Sequence, residues 1–418
     1  MTKKTAFVAA RIANSDLTGW LKNHAVIVEH GRIVDVIALS SMSADPSDQL
    51  QIYELGDVSL LPGLVEAHCH MHCSATPDAP KLVLSESVDR MFMRATSAMR
   101  RALLSGTTTV RDIGSRDDVA FPILRAIEDK VIPGPRLICS GAPVTTTAGH
   151  CWFWGGEADT TEEVIVGIRS RVKQGAMVIK MMATGGMLTP TANPRMPQYS
   201  VETLTAAVEE AERLNVQIAA HTLSAEGVRR CAEAGIHHLI HARWLSANPN
   251  DGLEYDPATA SMIADKGLWV DATIGHHLLG VEARGKNGGR IAHWSVGARP
   301  VTEEEHLETL MKMTEAGVRF TTGLDMGMSY ADHGQSSASA WAYHEWLGWD
   351  QWRAIRSATV DTAEALRFGA ELGRIESGYI ADMAAYTGDP ATNIRDLNDA
   401  NSVIQNGSLV KLAGRSLI

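Results

Sequence analysis

Residues 201–221 read VETLTAAVEEAERLNVQIAAH, an amphipathic stretch followed by a short β-rich run that ends in histidine. The first part has apolar residues at helical spacing, and the second has the length and composition of a buried strand. Eight such runs alternate with longer amphipathic stretches: LVEAHCH (64–70), TTTVRD (107–112), RLICSG (136–141), MVIKMMA (177–183), VQIAAH (216–221), IHHLIH (236–241), LWVDAT (268–273) and VRFTTGLD (318–325). This alternation predicts an α/β fold, a closed (β/α)8 TIM barrel. A doubly wound open sheet is the alternative.

The connections that follow several of these strands are long. We expect a helix in EEEHLETLMKMTEA (303–316) but loops at residues 142–160, 184–199, 274–301 and 326–340. In barrels of this kind the loops after the strands build the active site. Long loops there predict an enclosed substrate pocket, with surface insertions as the alternative.

The two ends of the chain have a different pattern. Residues 5–60 contain HAVIVEHGRIVDVIAL, and residues 380–412 contain SVIQNGSLVKL. His30-Gly31 and Asn406-Gly407 suit tight hairpin turns in these segments. We therefore predict one small β-sandwich built from both termini. The predicted domains are residues 1–62 plus 361–418 for the sandwich, and residues 63–360 for the barrel.

Composition limits the partners. A chain of 418 residues suits a large barrel with a small second domain, and 45% hydrophobic with 21% charged residues is ordinary for a soluble globular protein. The net charge of -11 argues against nucleic acid or an anionic membrane as a main partner. We expect a small-molecule substrate, and the sequence leaves a homo-oligomer open.

The cysteines and the first residues bear on location. Arg11 interrupts the apolar stretch after Lys3 and Lys4, so we expect no signal peptide. The chain has no apolar run of about 18 residues that would cross a bilayer. Its five cysteines are sparse and form no CxxC pair, which predicts no disulfide framework and a cytoplasmic location.

Candidate metal ligands fall at the ends of the predicted strands. His68 and His70 are two residues apart in one strand, so both imidazoles point to the same face and can reach one ion. His221, His241 and Asp325 end three further strands. Each alone is better explained as a buried structural residue. Together, at one end of one barrel, they predict a metal site.

Lys180 is the unusual member of this group, because it lies inside the apolar strand VIKMM. Burial and nearby dications both lower the pKa of a lysine and favour the neutral amine. A neutral amine can add CO2 to form a carbamate, and the two carbamate oxygens can bridge two metal ions. An ion pair with Asp325 or another carboxylate is the alternative.

Longer sequence motifs resemble those of a known protein family. LPGLVEAHCHMH (61–72) resembles the signature that opens the barrel in the amidohydrolase superfamily. Four further segments resemble its imidazolonepropionase-like and prolidase-like subgroup, whose members include N-acyl-amino-acid hydrolases: GTTTVRDIG (106–114), IPGPRLICSG (132–141), AMVIKMMATGG (176–186) and LGRIESGYIADMAAYTGDP (372–390). The likeness spans nearly the whole chain.

The resemblance implies a binuclear metal centre. His68 and His70 would bind the more buried ion with Asp325, His221 and His241 would bind the more exposed one, and carbamylated Lys180 would bridge them. The usual metal is zinc, which this nitrogen and oxygen ligand set permits. The resemblance also assigns His150 to hold or polarise the scissile carbonyl.

The implied reaction is metal-dependent hydrolysis of an amide-type C–N bond, as in an N-acyl amino acid, an aryl amide or a carbamate. Zinc lowers the pKa of bound water to about 7, which supplies a metal-bridging hydroxide. Asp325 would take the proton and pass it to the leaving nitrogen. The alternatives are a lactonase or phosphotriesterase, a cyclic amidine deaminase and a non-catalytic interaction barrel. The presence of all six ligands disfavours the last.

Tryptophans and arginines near the strand ends suggest the substrate. Trp152, Trp154, Trp244 and Trp294 lie in or near the loops that should surround the metals. They predict a pocket for an aromatic or bulky apolar group, with loop packing as the alternative. Arg195 and Arg243 are candidates to bind a substrate carboxylate, with structural ion pairs as the alternative. The predicted substrate is a neutral or anionic amide or carbamate.

Overall fold

The computed structural model describes residues 4–42, 50–284 and 299–418. Its strands β1 to β19 are Lys4–Val8, Arg11–Ala13, Trp20–Leu21, His24–Glu29, Arg32–Ala38, Leu50–Glu54, Val58–Pro62, Leu64–Cys69, Thr107–Asp112, Arg136–Cys139, Val178–Met182, Gln217–Ser224, His238–Leu245, Trp269–Asp271, Arg319–Thr321, Met383–Thr387, Ser402–Gln405, Ser408–Leu412 and Arg415–Ser416. Its α-helices α1 to α12 are Ala79–Ser85, Val88–Leu104, Asp117–Glu128, Thr161–Gln174, Val201–Arg213, Ala225–Ala234, Pro257–Asp265, Ile274–Arg284, Glu303–Glu315, Ala338–Leu347, Gln351–Arg356 and Thr362–Ala365.

Strands β8 to β15 are parallel within their sheets and overlap the eight predicted runs. Strand β15 ends at Thr321, so Asp325 lies in the segment that follows it. The eight strands pair in two sheets, in the orders β10-β9-β8 and β11-β12-β13-β14-β15. Val144, which follows β10, makes two backbone hydrogen bonds to one edge of β11: its N–H donates to Lys180 O at 2.8 Å, and its carbonyl accepts from Met182 N at 2.8 Å. Met326, after β15, bonds in the same way to His68 and His70 of the β8 segment. The fold is thus mixed α/β, with its parallel strands next to one another.

Helices pack against these strands. The helix predicted for residues 201–214 is α5, whose buried side chains include Leu204 and Ala207. Its first turn is capped by Ser200, whose hydroxyl accepts from Thr203 N at 3.2 Å, as expected for an N-cap serine. Helix α9 matches the prediction for residues 303–316. The loop predicted for residues 274–301 is wrong in its first part, because residues 274–284 form helix α8.

The terminal segments form two further sheets, with strand orders β5-β4-β1-β6 and β19-β18-β17-β16-β7-β2-β3. Phe7 and Val26 of the first sheet pack in one apolar cluster with Leu60 and Met383 of the second. Both predicted hairpins are present as β4–β5 and β17–β18. Residues 30, 31, 406 and 407 all have positive φ, the conformation that a tight hairpin turn of this type needs.

One apolar cluster lies among the parallel strands. It contains Val65, Ile138 and Ala219, and it is covered by Ala363 and Leu366 from the last helical segment. Ala363 and Leu366 follow the predicted domain boundary at residues 360 and 361, yet they pack against the parallel strands. That boundary therefore stays a prediction.

Two findings concern the surroundings of the protein. No helix in the described ranges is long and apolar enough to span a membrane. The five cysteines are all buried and unpaired. The cytoplasmic location stays a prediction.

Candidate metal centre and active site

A cavity of about 700 Å³ opens at the C-terminal ends of the parallel strands. Its wall contains all six predicted metal ligands, His68, His70, Lys180, His221, His241 and Asp325, together with His150 and Trp154. These residues come from different strands and from the loops after them, so the fold brings together what the sequence separates by more than 250 positions.

His68, His70 and Asp325 form the tightest cluster of this wall. Their candidate ligand atoms all lie within 4.8 Å of one another. The Asp325 Oδ1 atom is 3.4 Å from His68 Nε2 and 3.1 Å from His70 Nε2. Burial alone would raise the pKa of Asp325, but positive charge at the neighbouring imidazoles lowers it below its ordinary value. Where those imidazoles are neutral, a bound cation would favour the Asp325 carboxylate in the same way.

The second nitrogen of each histidine has its own partner. Nδ1 of His68 lies 2.9 Å from the carboxylate of Asp271, and Nδ1 of His70 lies 2.7 Å from Gly114 O. Both partners accept hydrogen bonds, so each Nδ1 carries the proton and each Nε2 presents a lone pair. Two lone pairs and the oxygen of Asp325 thus converge on one point. A cation fits there, and this donor set suits a divalent metal.

His221 and His241 lie beside the first cluster. Their ring centroids are 4.7 Å apart, and that of His241 is 5.3 Å from that of His68. His221 Nε2 donates to Gly185 O at 3.2 Å, which leaves its Nδ1 free to bind an ion. Burial lowers the pKa of both imidazoles well below the ordinary value. Both are neutral, as metal binding requires.

Lys180 lies on β11 and is almost fully buried in the same wall. Burial lowers the pKa of its ammonium to about 8, although the charge of Asp325 partly opposes this shift. Within the described ranges no carboxylate oxygen lies within 4.0 Å of its Nζ atom. Burial thus shifts Lys180 toward the neutral amine that carbamate formation would need.

His150 and Trp154 complete the wall around these groups. The His150 ring centroid lies 4.5 Å from that of His221, and the Trp154 ring packs against His70 at 5.3 Å. Burial lowers the pKa of His150 to about 3, so it is a neutral imidazole. The rest of the described wall is largely apolar and includes Pro77, Pro80, Leu84, Met182, Met187, Leu188, Pro190, Leu223 and Met328.

The chain is similar to known proteins over most of its length. Residues 59–410 match the amidohydrolase family. The chain belongs to the amidohydrolase family. This amidohydrolase is a hydrolase that acts on carbon–nitrogen bonds, and its substrates are small molecules. The resemblance inferred from the sequence motifs is confirmed at the level of the family.

Individual relatives are similar over most of the amidohydrolase. Ochratoxinase of Aspergillus niger is 27% identical over 373 residues, which cover 82% of this chain and 73% of that protein. The crystal structure of ochratoxinase has a TM-score of 0.81 at 24% identity and covers 99% of this chain and 96% of its own. A Xaa-Pro dipeptidase with bound methionine has a TM-score of 0.82 at 24% identity, with 98% and 100% covered. These structural likenesses show the fold.

The two arginines predicted to bind substrate are not in the wall of the amidohydrolase cavity. Arg195 is buried and donates to the backbone oxygens of Ser246 and Gly252 at 2.6 and 3.3 Å. Arg243 is also buried and contacts the ring of His277. Both hold loops together, because a guanidinium below the surface needs acceptors close by.

The predicted tryptophans are placed differently from one another. Trp154 lines the cavity as expected. Trp152, in the same 3₁₀ turn, is 43% exposed and is absent from the described wall. Trp244 is fully buried behind the wall, where its indole N–H points at the sulfur of Met313. Trp294 lies outside the described residues.

Sequence reasoning missed four polar residues at the end of the seventh strand. Asp271 and Thr273 contact the metal ligand candidates His68 and His241. His276 and His277 line the cavity from the start of α8. Asp271 could have been found by the rule that selected the ligands, because it also ends a predicted strand, LWVDAT.

Proposed function

We propose that this amidohydrolase binds two divalent metal ions and hydrolyses an amide-type C–N bond in an apolar or aromatic small molecule. The observation that carries the proposal is the convergence of two imidazole lone pairs and the Asp325 carboxylate in a cavity that also holds His221, His241 and Lys180. Buried groups of this kind are unfavourable without a cation between them.

The residues divide into two ligand sets. His68, His70 and Asp325 would hold the more buried ion, and His221 and His241 the more exposed one. Lys180, as a carbamate, would bridge them. Its burial and lowered pKa support this role. We propose zinc as the metal, in line with the nitrogen and oxygen donors.

We also propose that the two parallel sheets belong to one closed (β/α)8 barrel. The backbone hydrogen bonds of Val144 to β11 and of Met326 to the β8 segment support closure at both junctions. Residues 1–62 and 361–418 would supply the β-sandwich, and its two packed sheets support that division.

The proposed hydrolysis needs a Lewis acid and a group that transfers a proton. Bound divalent ions would supply Lewis acidity toward water and toward the scissile carbonyl. Asp325 would accept the proton of the attacking water at a carboxylate oxygen and return it to the leaving nitrogen, the role of a general acid–base group. His150 would orient the carbonyl with a neutral imidazole, while Trp154 and the apolar wall exclude bulk water.

The apolar wall predicts the substrate preference. We expect kcat/KM to be highest for acyl-amino acids, anilides or carbamates with aromatic or bulky apolar groups, and low for cationic or small polar ones. Relatives named ochratoxinase and Xaa-Pro dipeptidase support an amide substrate. A clear preference for cationic or small polar substrates across such a panel would refute the apolar pocket.

Two methionines of one loop provide a matched pair for this test. Met187 lines the cavity and is 39% exposed, whereas Met196 is 50% exposed and is not in the described wall. Met187→Ala should lower kcat/KM for the apolar substrates about 5-fold, because roughly 1 kcal/mol of apolar contact is lost. Met196→Ala should leave it unchanged. Equal behaviour of the two variants would contradict the assignment.

A further inference from the structure

The end of the seventh parallel strand contributes no proposed metal ligand, yet it contacts a ligand in each half of the site. Asp271 is fully buried at the end of β14, and its Oδ2 atom lies 2.9 Å from Nδ1 of His68. Two residues later, Thr273 Oγ1 lies 3.2 Å from Nδ1 of His241. The two residues therefore touch one ligand of each proposed ion.

Asp271 and Thr273 are also joined to each other. The backbone N–H of Thr273 donates to Asp271 Oδ1 at 2.9 Å. Thr273 has a φ of 49°, a left-handed conformation that β-branched residues rarely adopt. The bond to Asp271 holds the backbone in this conformation, and the backbone determines where the hydroxyl of Thr273 points. The two ligand contacts thus form one unit.

The chemistry of imidazole gives these contacts a consequence. When one ring nitrogen donates a hydrogen bond, the other keeps its lone pair for a metal ion. The carboxylate of Asp271 only accepts, so Nε2 of His68 is the free nitrogen. The hydroxyl of Thr273 has the same effect on His241 when it accepts from Nδ1, and in either direction the contact holds the orientation of that ring. Partners of this kind fix the tautomer and the ring orientation of a ligand.

We propose that Asp271 and Thr273 are positioning residues that couple the two metal subsites. Asp271 orients His68 directly and His241 through Thr273. The inference rests on the proposed metal centre. It requires unequal effects: loss of the Thr273 hydroxyl weakens the ion held by His241, whereas loss of the Asp271 carboxylate weakens both ions.

Metal titration of the full chain tests this division. The test uses four metal-free proteins: wild type, Asp271→Asn, Thr273→Val and Thr273→Ser. Each is titrated with Zn²⁺ against a chromophoric chelator, and with Co²⁺ to record visible spectra. Asp271→Asn should bind both Zn²⁺ equivalents about 10- to 100-fold more weakly, the usual effect of losing such a partner. Thr273→Val should weaken one equivalent only. Asp271→Asn and Thr273→Val should both alter the Co²⁺ spectrum. Thr273→Ser keeps a hydroxyl and should show the Zn²⁺ affinities and the Co²⁺ spectrum of wild type.

The outcomes separate the inference from the proposed function. If wild type binds two Zn²⁺ ions and both Asp271→Asn and Thr273→Val do so with unchanged affinity and Co²⁺ spectra, the positioning role is wrong while the metal centre stands. Equal weakening of both ions by Thr273→Val would contradict the division between the subsites. A wild type that binds no Zn²⁺ would overturn the metal centre itself. Should Asp271→Asn fail to fold, the Val and Ser variants at Thr273 decide the test.

Discussion

Lys180→Ala should lose metal and activity together, with a fall in kcat/KM of at least about 10³-fold. In the proposed centre the Lys180 carbamate would supply a ligand to both ions. Its loss would remove several kcal/mol of transition-state stabilisation, about tenfold in rate for every 1.4 kcal/mol. Alanine also leaves a gap in a fully buried strand, β11. The measurement is metal content by elemental analysis alongside kcat/KM.

A chemical rescue distinguishes the bridge from a packing role. Acetate or propionate should restore part of both the metal content and the rate of Lys180→Ala, because a small carboxylate can occupy the place of the carbamate. Lys173→Ala, at an exposed lysine of α4, is the matched control and should behave as wild type. Near-normal turnover of Lys180→Ala would show that the lysine is structural and that the site assignment is wrong.

Asp325→Asn should slow the reaction by about 10²–10⁴-fold, the usual range for a general acid–base group. The amide keeps the shape of the side chain and one oxygen donor, but it cannot take a proton from water. Much of the metal should remain bound, since His68 and His70 are unchanged. The measurement is kcat at saturating metal, with metal content recorded on the same sample.

A distant carboxylate serves as the comparison for this substitution. The Asp16 side chain is 84% exposed, and its carboxylate lies 3.8 Å from Arg374, a long contact open to solvent that contributes little to stability. Asp16→Asn should therefore leave kcat unaffected. If Asp325→Asn is as fast as Asp16→Asn, another group acts as the base.

The strand positions and the candidate ligands were within reach of sequence reasoning. Residues at i and i+2 of a strand share a face, so His68 and His70 had to point the same way. His221, His241 and Asp325 ended three of the apolar runs that were predicted to be strands. Parallel strands place their C-terminal ends at one edge of the sheet, so these side chains were expected to lie close together. The eight runs and the observed strands agree for the same reason.

The residues beyond the strand ends were harder to predict. Within β13, positive φ values occur at His241, Ala242 and Trp244. Side chains therefore do not alternate regularly between the two faces of this strand. Arg243 and Trp244 therefore turn away from the cavity instead of into it. Arg195 is held by backbone carbonyls of another loop, a contact that no local pattern in the sequence encodes.

The direct test of the metal centre is the number of divalent ions per chain. Protein from cells grown in metal-replete medium, purified without chelators, is analysed for its elements against an independent protein concentration. The arrangement of His68, His70, Lys180, His221, His241 and Asp325 predicts two equivalents, chiefly zinc. A chain that stays metal-free and yet fully active would contradict it.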